Sequence, residues 1–346
     1  AYGFDDDKFK YGISGKWLLD KKSRLTISGG NRRDVEQIGA SLTTSTDVLG
    51  RSLASSAVVG TGANDKLTSI NLTSLAVEAE PLRNLIFRLG ANYRTLESAS
   101  PTFSLDYNTE NGIESEIKQF ETSLSLSYFP KRKMTGYGVE RRTANDDFAR
   151  LFAQVTRGDK SLFDSDFDYT KVQFSYIQPW QVGGFGRLTS SIEVGKTFGE
   201  VPLGLLSVIP GNQTYFSIYN TFSQLDFYEF VSDTYTSVHL EHNFNGRLFS
   251  RIPFLRKFNL REIISIRGVL ADISAENIAL NNVPSNPNNL QLVAPSKEPY
   301  YEYSLGIGNI FKVFRIDFNF RGNYKDRVVY PDARKFGITG SFGFYF

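Results

Sequence analysis

The sequence predicts an all-β chain folded as a transmembrane antiparallel β-barrel. Three observations carry this. Large apolar and small polar side chains alternate along most of the 346 residues. No run approaches the ~18 apolar residues of a membrane helix. Long and short connections take turns along the chain, as in barrels that pass from one side of a membrane to the other. In such a sheet only alternate residues need to be apolar, so a charged content of 22% and a slightly negative mean hydropathy are compatible with it.

The elements follow in chain order. Phe9, Tyr11, Ile13, Trp17 and Leu19 oppose Lys10, Ser14 and Lys16, which predicts a strand over 8–19. Weaker alternation marks 24–36 and 72–80. Leu85, Phe87, Leu89, Ala91 and Tyr93 oppose Arg88, Asn92 and Arg94, and Phe120, Leu124, Leu126 and Tyr128 oppose Glu121, Ser123, Ser125 and Ser127. Segments 148–157 and 168–178 are weaker again. Leu188, Ile192, Val194 and Phe198 lie opposite Thr189, Ser191, Glu193 and Thr197, and Val238, Leu240 and Phe244 lie opposite Ser237, His239, Glu241 and Asn243. After a weaker 260–271 come Tyr301–Ile307 and Arg315–Tyr324, the latter with Ile316, Phe318, Phe320 and Tyr324 on one face. The clearest strand is the last. Phe336, Ile338, Phe342, Phe344 and Phe346 face one way, and Gly337, Thr339, Ser341, Gly343 and Tyr345 the other. The polar face is charged in strand after strand, which a dry sandwich core would not accept without partners, so water or a polar lumen lies on that side.

Thirteen strands result. Single-chain bacterial barrels have even counts, so thirteen to fourteen strands are expected here and sixteen in the complete protein. Residues 1–346 read as a single barrel domain, with Ala1–Phe4 the tip of a strand that begins before residue 1. Long connections at 37–71, 97–117, 199–234 and 272–299 predict the outer side. Short ones near 20–23, 81–84, 179–184 and 312–314 predict the periplasmic side, with the C-terminus there. The expected location is the outer membrane, with its lipid as the first partner.

Composition excludes several function classes. The absence of Cys removes disulfides, thiolate catalysis and cysteine zinc sites. A net charge of +2 gives no reason to expect nucleic acid. His239 and His242 are three apart on a strand and so face opposite sides, unable to share a metal. His239 and Glu241 share a face, but no nucleophile motif accompanies them. Asp164, Asp166 and Asp168 lack the Gly and distal Glu of a helical calcium loop and read as solvated acids. No cofactor is expected, and the reading is non-enzymatic.

Two resemblances follow from specific motifs. Ser165-Asp-Phe-Asp-Tyr169, Glu193-Val-Gly-Lys-Thr-Phe-Gly199, Pro210-Gly-Asn-Gln-Thr-Tyr215, Tyr228-Glu-Phe-Val-Ser-Asp233, Glu241-His-Asn-Phe-Asn-Gly246 and Ile252–Glu262 resemble a Bacteroidota outer-membrane family of unknown function. In that family a carboxypeptidase-regulatory-like domain precedes a barrel. The order of the last strands, with a long loop followed by four closing strands, is similar to the BamA/TamA assembly-factor superfamily. That resemblance implies a role in outer-membrane biogenesis or protein assembly. The superfamily's Val-Arg-Gly-Phe/Tyr loop motif is absent between 200 and 234.

Four groups of candidate residues follow. Phe342, Phe344 and Phe346 are expected to act as the C-terminal barrel signal and as lipid anchors. Glu193, His239, Glu241, Arg267, Asp317 and Arg321 are expected to form a mixed-charge lumen network that braces the barrel, since a selective pore would carry one sign. Tyr215, Phe216, Phe222, Phe227, Tyr228 and Phe230 lie in a loop too apolar to be solvated, which should enter the lumen or bind a partner. Arg247, Arg251, Arg256 and Lys257 form a basic periplasmic surface, suited to anionic headgroups or to a partner in an envelope complex. The leading function is a scaffold or assembly barrel, with a passive or gated pore as the alternative and a barrel hydrolase third.

Overall fold

The structure, a computed structural model, describes residues 2–3, 8–38, 66–139, 141–326 and 333–343. Among these, thirteen strands join in one antiparallel sheet, and each pairs with its sequence neighbours. They are β1 (Tyr11–Asp20), β2 (Leu25–Glu36), β3 (Thr68–Leu82), β4 (Leu85–Ser98), β5 (Ile117–Tyr128), β6 (Arg150–Gly158) and β7 (Tyr169–Gln181). The second half continues with β8 (Arg187–Phe198), β9 (Thr234–Asn243), β10 (Arg261–Asp272), β11 (Tyr300–Ile310), β12 (Phe314–Arg321) and β13 (Phe336–Phe342). Each corresponds to a strand expected from the alternation, with its ends moved by a few residues. No helix is long and apolar enough to cross a membrane.

The two faces differ in the sense a membrane requires. Trp17, Leu89, Leu124, Leu305 and Ile338 project from the outer wall and are at least half exposed. The residues between them turn inward, where Ser175, Glu302, Asp317 and Asn319 are fully buried. A water-soluble sheet has the opposite polarity. An apolar band outside and a polar interior suit hydrocarbon around the wall, and the paired strands satisfy their own backbone groups.

Turn chemistry separates the two ends. Asn84 takes φ 66° in the tight β3–β4 turn, where its N–H donates to the Glu80 carboxylate at 2.8 Å. Between β7 and β8, Gly186 has φ +91°, and a Cβ there would lie 2.0 Å from the Asn243 carbonyl oxygen, so only glycine fits. At the same end, connection 129–149 folds as a small hairpin, Met134–Thr135 against Arg142–Thr143. It is strapped to the wall by the Arg141–Glu80 ion pair and by Arg187–Asp146 at 2.6 Å.

One placement differs from expectation. β12 ends at Arg321, and Tyr324 (φ 53°) turns inward to pack on Phe230 and Tyr300 rather than facing out. Tyr2–Gly3 pairs with Lys8–Phe9, just before β1. Phe342 projects outward and packs on Phe314, with ring centroids 4.5 Å apart, but Phe344 and Phe346 lie outside the described residues. Among the described residues β1 and β13 are not paired with each other.

Candidate functional site

The interior of the curled sheet is occupied by the segment between β8 and β9, residues 199–233. It contacts both ends of the sheet: the Tyr228 hydroxyl accepts from Ile38 N–H at 3.0 Å near the end of β2, and Ser217 N–H donates to the Gly340 carbonyl of β13 at 2.8 Å. The sheet therefore wraps around it. Apolar burial explains why it turns inward. Leu203, Leu205, Leu206, Val208, Phe227 and Tyr228 pack with Leu96 and Ile117 of the wall and with Phe103 and Leu105 from the 99–116 loop. Ile209, Phe222, Leu225 and Phe230 pack against Val269, Ala271 and Tyr300. Each fully buried Phe or Leu contributes roughly 1.5–3 kcal/mol by leaving water. Burial pushes the Tyr228 hydroxyl up to about 12.

Both ends of the segment are held by one helix, α1 (Ala275–Asn281), which follows β10. Its Asn277 and Asn281 side chains accept from Val201 N–H (2.8 Å) and Leu203 N–H (2.6 Å). Asp233, at the far end, accepts from Ser274 N–H at 2.7 Å and from Asn277 Nδ2 at 3.0 Å. Burial would raise the Asp233 carboxyl, but these hydrogen bonds outweigh it and hold it below its ordinary value.

Polar contacts lock the middle of the segment to the last strands. Arg321 of β12 and Glu229 form an ion pair in which both side chains are fully buried. Arg321 Nη1 also donates to the Gln224 carbonyl at 3.0 Å, and its guanidinium lies 5.0 Å from the Tyr300 ring centre. The Glu302 carboxylate of β11 accepts from Ser223 N–H (2.7 Å), Gln224 N–H (2.9 Å) and Arg267 Nη1 (2.9 Å). Register produces this cluster, because Glu302 stands directly opposite Arg267 on one side and Arg321 on the other. Every member has a charged or backbone partner, which is the condition for burying such groups.

The residues singled out from sequence fall into three separate places. Arg267 and Arg321 join the lock. Asp317 and Glu241 share Arg315, through Nε at 2.8 Å and Nη2 at 2.6 Å respectively. Glu193 lies apart and accepts from the Tyr235 hydroxyl at 2.8 Å, beside the Arg94–Glu121 pair. His239 joins no ion pair among the described residues. Its ring packs 4.8 Å from Phe222, and the carboxylate of Glu241 goes to Arg315, so these two side chains do not form an acid–base pair. Asp166 and Asp168 accept backbone N–H bonds from Lys118 and Lys160, and no group of three or more metal-ligating side chains occurs among the described residues. Glu302, Arg315 and Asn319 could have been found by counting register across the last two hairpins. Glu229 could not, because it sits in an aperiodic loop.

Phe222, Phe227, Tyr228 and Phe230 are buried, whereas Tyr215 and Phe216 are half-exposed. These last two serve another purpose. Gly340 N–H donates to the Tyr215 carbonyl at 2.8 Å, and with the Ser217–Gly340 bond this forms a short parallel bridge on the side of β13 away from β12. Ser217 Oγ adds bonds to Thr339 (2.9 Å) and Asp317 (3.2 Å), and Phe216 packs on Phe342. The loop thus pairs with the side of β13 away from β12 and satisfies the backbone groups of Gly340 there.

Comparison with solved structures agrees with this architecture. BamA from Haemophilus ducreyi lacking POTRA domains 1–3 is similar in fold, with a TM-score of 0.56 at 12% identity over 96% of this chain and 62% of that one. The chain thus spans less than two thirds of that BamA chain. Pseudomonas aeruginosa OccK11 (TM-score 0.35, 8% identity, 96% and 68% covered) and LpxR from Salmonella typhimurium (0.28, 8%, 97% and 88%) align less well. Among curated proteins no relative is found. The fold is an antiparallel barrel of the BamA kind. A family model, described as the C-terminal domain of a family of unknown function (DUF5686), matches residues 80–274, more than half of the chain, and the chain belongs to that family.

Proposed function

We propose that this chain is an integral outer-membrane barrel with a non-enzymatic role, acting in outer-membrane biogenesis and protein assembly or as the scaffold subunit of an envelope complex. In this reading the short-turn end and the C-terminus face the periplasm. The observation that carries it is the locked interior: a segment of some 35 residues (199–233) fills the lumen, is clamped by α1 and is pinned through Arg321 and Glu302. An open conduit has no use for such a lock, and a hydrolase needs a base free to meet a nucleophile. The bridge from Tyr215–Ser217 to Gly340 adds a further tie between the segment and the wall.

Planar-bilayer recording of the purified barrel, together with affinity capture from native membranes, tests the proposal. Expected are silence or brief flicker in the bilayer and stoichiometric co-purification of envelope proteins. Steady ohmic steps from an unmodified barrel that purifies alone would replace it with a pore.

A further inference from the structure

At the short-turn end the connection between β9 and β10, Phe244–Leu260, neither fills the lumen nor closes as a tight turn. It contains a short 3-10 turn and the single helical turn Pro253–Arg256. Leu248, Ile252, Phe254 and Phe258 project from it exposed, Phe254 by 69%. Arg251, Arg256 and Lys257 are also exposed and form no ion pair among the described residues. Arg247 reaches sideways instead, donating to the Gly184 carbonyl at 2.6 Å and lying over the Phe185 ring. That joins the connection to the β7–β8 turn, where Val182 and Phe185 are exposed next to Trp180. On the other side Asn309 Nδ2 donates to the Asn259 carbonyl at 2.7 Å, joining it to the β11–β12 turn, where Phe311 is exposed beside Lys312.

Three adjacent turns therefore make one continuous rim of apolar side chains and cations. No Asp or Glu occurs between Phe244 and Arg261, within 182–186 or within 311–313. The nearest carboxylate in sequence, Glu262, is buried and turned onto Phe249 N–H, and Asp146 beside the β7–β8 turn is paired with Arg187. The rim also continues the apolar outer wall, through Leu240, Ile264 and Ile266 of β9 and β10 and Phe314 of β12.

We propose that this rim is a seat for anionic phospholipid of the adjoining leaflet. Phe254, Phe258, Ile252 and Leu248 enter the boundary between headgroups and acyl chains, and Arg251, Arg256 and Lys257 bind headgroup phosphates. Aromatic and aliphatic side chains next to snorkelling cations, with no acid among them, are the composition that settles at a membrane interface. A protein partner would have to cover eight separate apolar side chains spread over three turns. A leaflet reaches all of them at once, because they already border the lipid-facing wall. The proposal rests on the reading that the barrel spans a membrane. It assigns this basic connection to lipid rather than to protein docking.

The chain lacks cysteine, so Phe254→Cys gives a unique attachment point for an environment-sensitive fluorophore. The folded barrel is placed in nanodiscs of phosphatidylcholine alone or mixed with phosphatidylglycerol. Leu89→Cys on the outer wall and Asn111→Cys in an exposed loop serve as references. The Phe254 probe should be blue-shifted and shielded from iodide as the Leu89 probe is, more so with phosphatidylglycerol, while the Asn111 probe is quenched. In the variant Arg251→Gln, Arg256→Gln, Lys257→Gln the preference for co-purified phosphatidylglycerol over phosphatidylcholine should fall roughly tenfold or more. A shielded Leu89 probe with a quenched Phe254 probe overturns the proposal and leaves the barrel reading standing. A quenched Leu89 probe overturns both. An unchanged lipid preference in the triple variant, or shielding of Phe254 only after periplasmic protein is added, also overturns it.

Discussion

The Arg321–Glu229 pair is the most exposing test of the locked interior. Both side chains are fully buried, so replacing Glu229 by Gln leaves the guanidinium with two neutral carbonyls, of Gln224 and Asn323, and the Tyr300 ring, and no counter-charge in direct contact. Removing one partner of a buried pair costs about 3–5 kcal/mol, because the remaining charge must be buried alone. Replacing both by apolar residues of similar size is close to neutral. If the pair holds 199–233 in place, Glu229→Gln shifts the balance between inserted and released loop by ~10²- to 10⁴-fold. Chymotrypsin reads this out, since Phe222, Phe227 and Phe230 are buried and can be cut only in the released form. With opening fast relative to cleavage, the rate follows the released population. Glu229→Gln should therefore be cleaved ~10²-fold faster or more, and the double variant Arg321→Met, Glu229→Leu should return to within roughly tenfold of the parent. Lys335–Asp326, 58% and 88% exposed, is the control, since an exposed pair contributes ~0–1 kcal/mol and its loss should leave the rate unchanged. Equal protection of the parent and Glu229→Gln, or a double variant worse than either single change, would refute the lock.

Three other predictions are independent of that pair. The Asp233 carboxyl is held below its ordinary value, so its stabilisation of the clamp is present above the unfolded pKa of ~3.9 and is lost as pH falls through the folded pKa. Pepsin cleavage within 201–233 should begin only at the acid end of a series from pH ~5 downwards, and Asp233→Asn should be less protected already at the upper end. Gly340→Pro removes the N–H that reaches Tyr215, a net loss of about 1 kcal/mol, and chymotrypsin should cut after Tyr215 or Phe216 about fivefold faster while the sheet stays folded. Leu305→Arg on the outer wall should destabilise the barrel in lipid by ~2–4 kcal/mol, measured by urea titration of heat-modifiable electrophoretic mobility, with a smaller effect where water bathes the wall.

The sequence by itself determined the sheet. Strand residues alternate with period two, and that period is local, so thirteen strands and their outward faces could be placed without any knowledge of contacts. Trp17, Leu89 and Leu305 were identifiable as outer-wall residues for the same reason. Alternation also marked Arg267, Asp317 and Arg321 as inward, but it does not say which inward charge meets which. That depended on register, which set Glu302 between Arg267 and Arg321, and on the path of a loop that brings Glu229 and Ser223 into the same space. Likewise, the many apolar residues in the segment before β9 announced burial, but Tyr215 and Phe216 have the same hydrophobicity as Phe222 and Phe230 and a different fate. Only the tertiary structure could set two of them on the edge of β13 and the others in the core. Hydrophobicity gives the free energy of leaving water and no direction, whereas a sheet edge and a buried guanidinium select particular backbone groups by geometry.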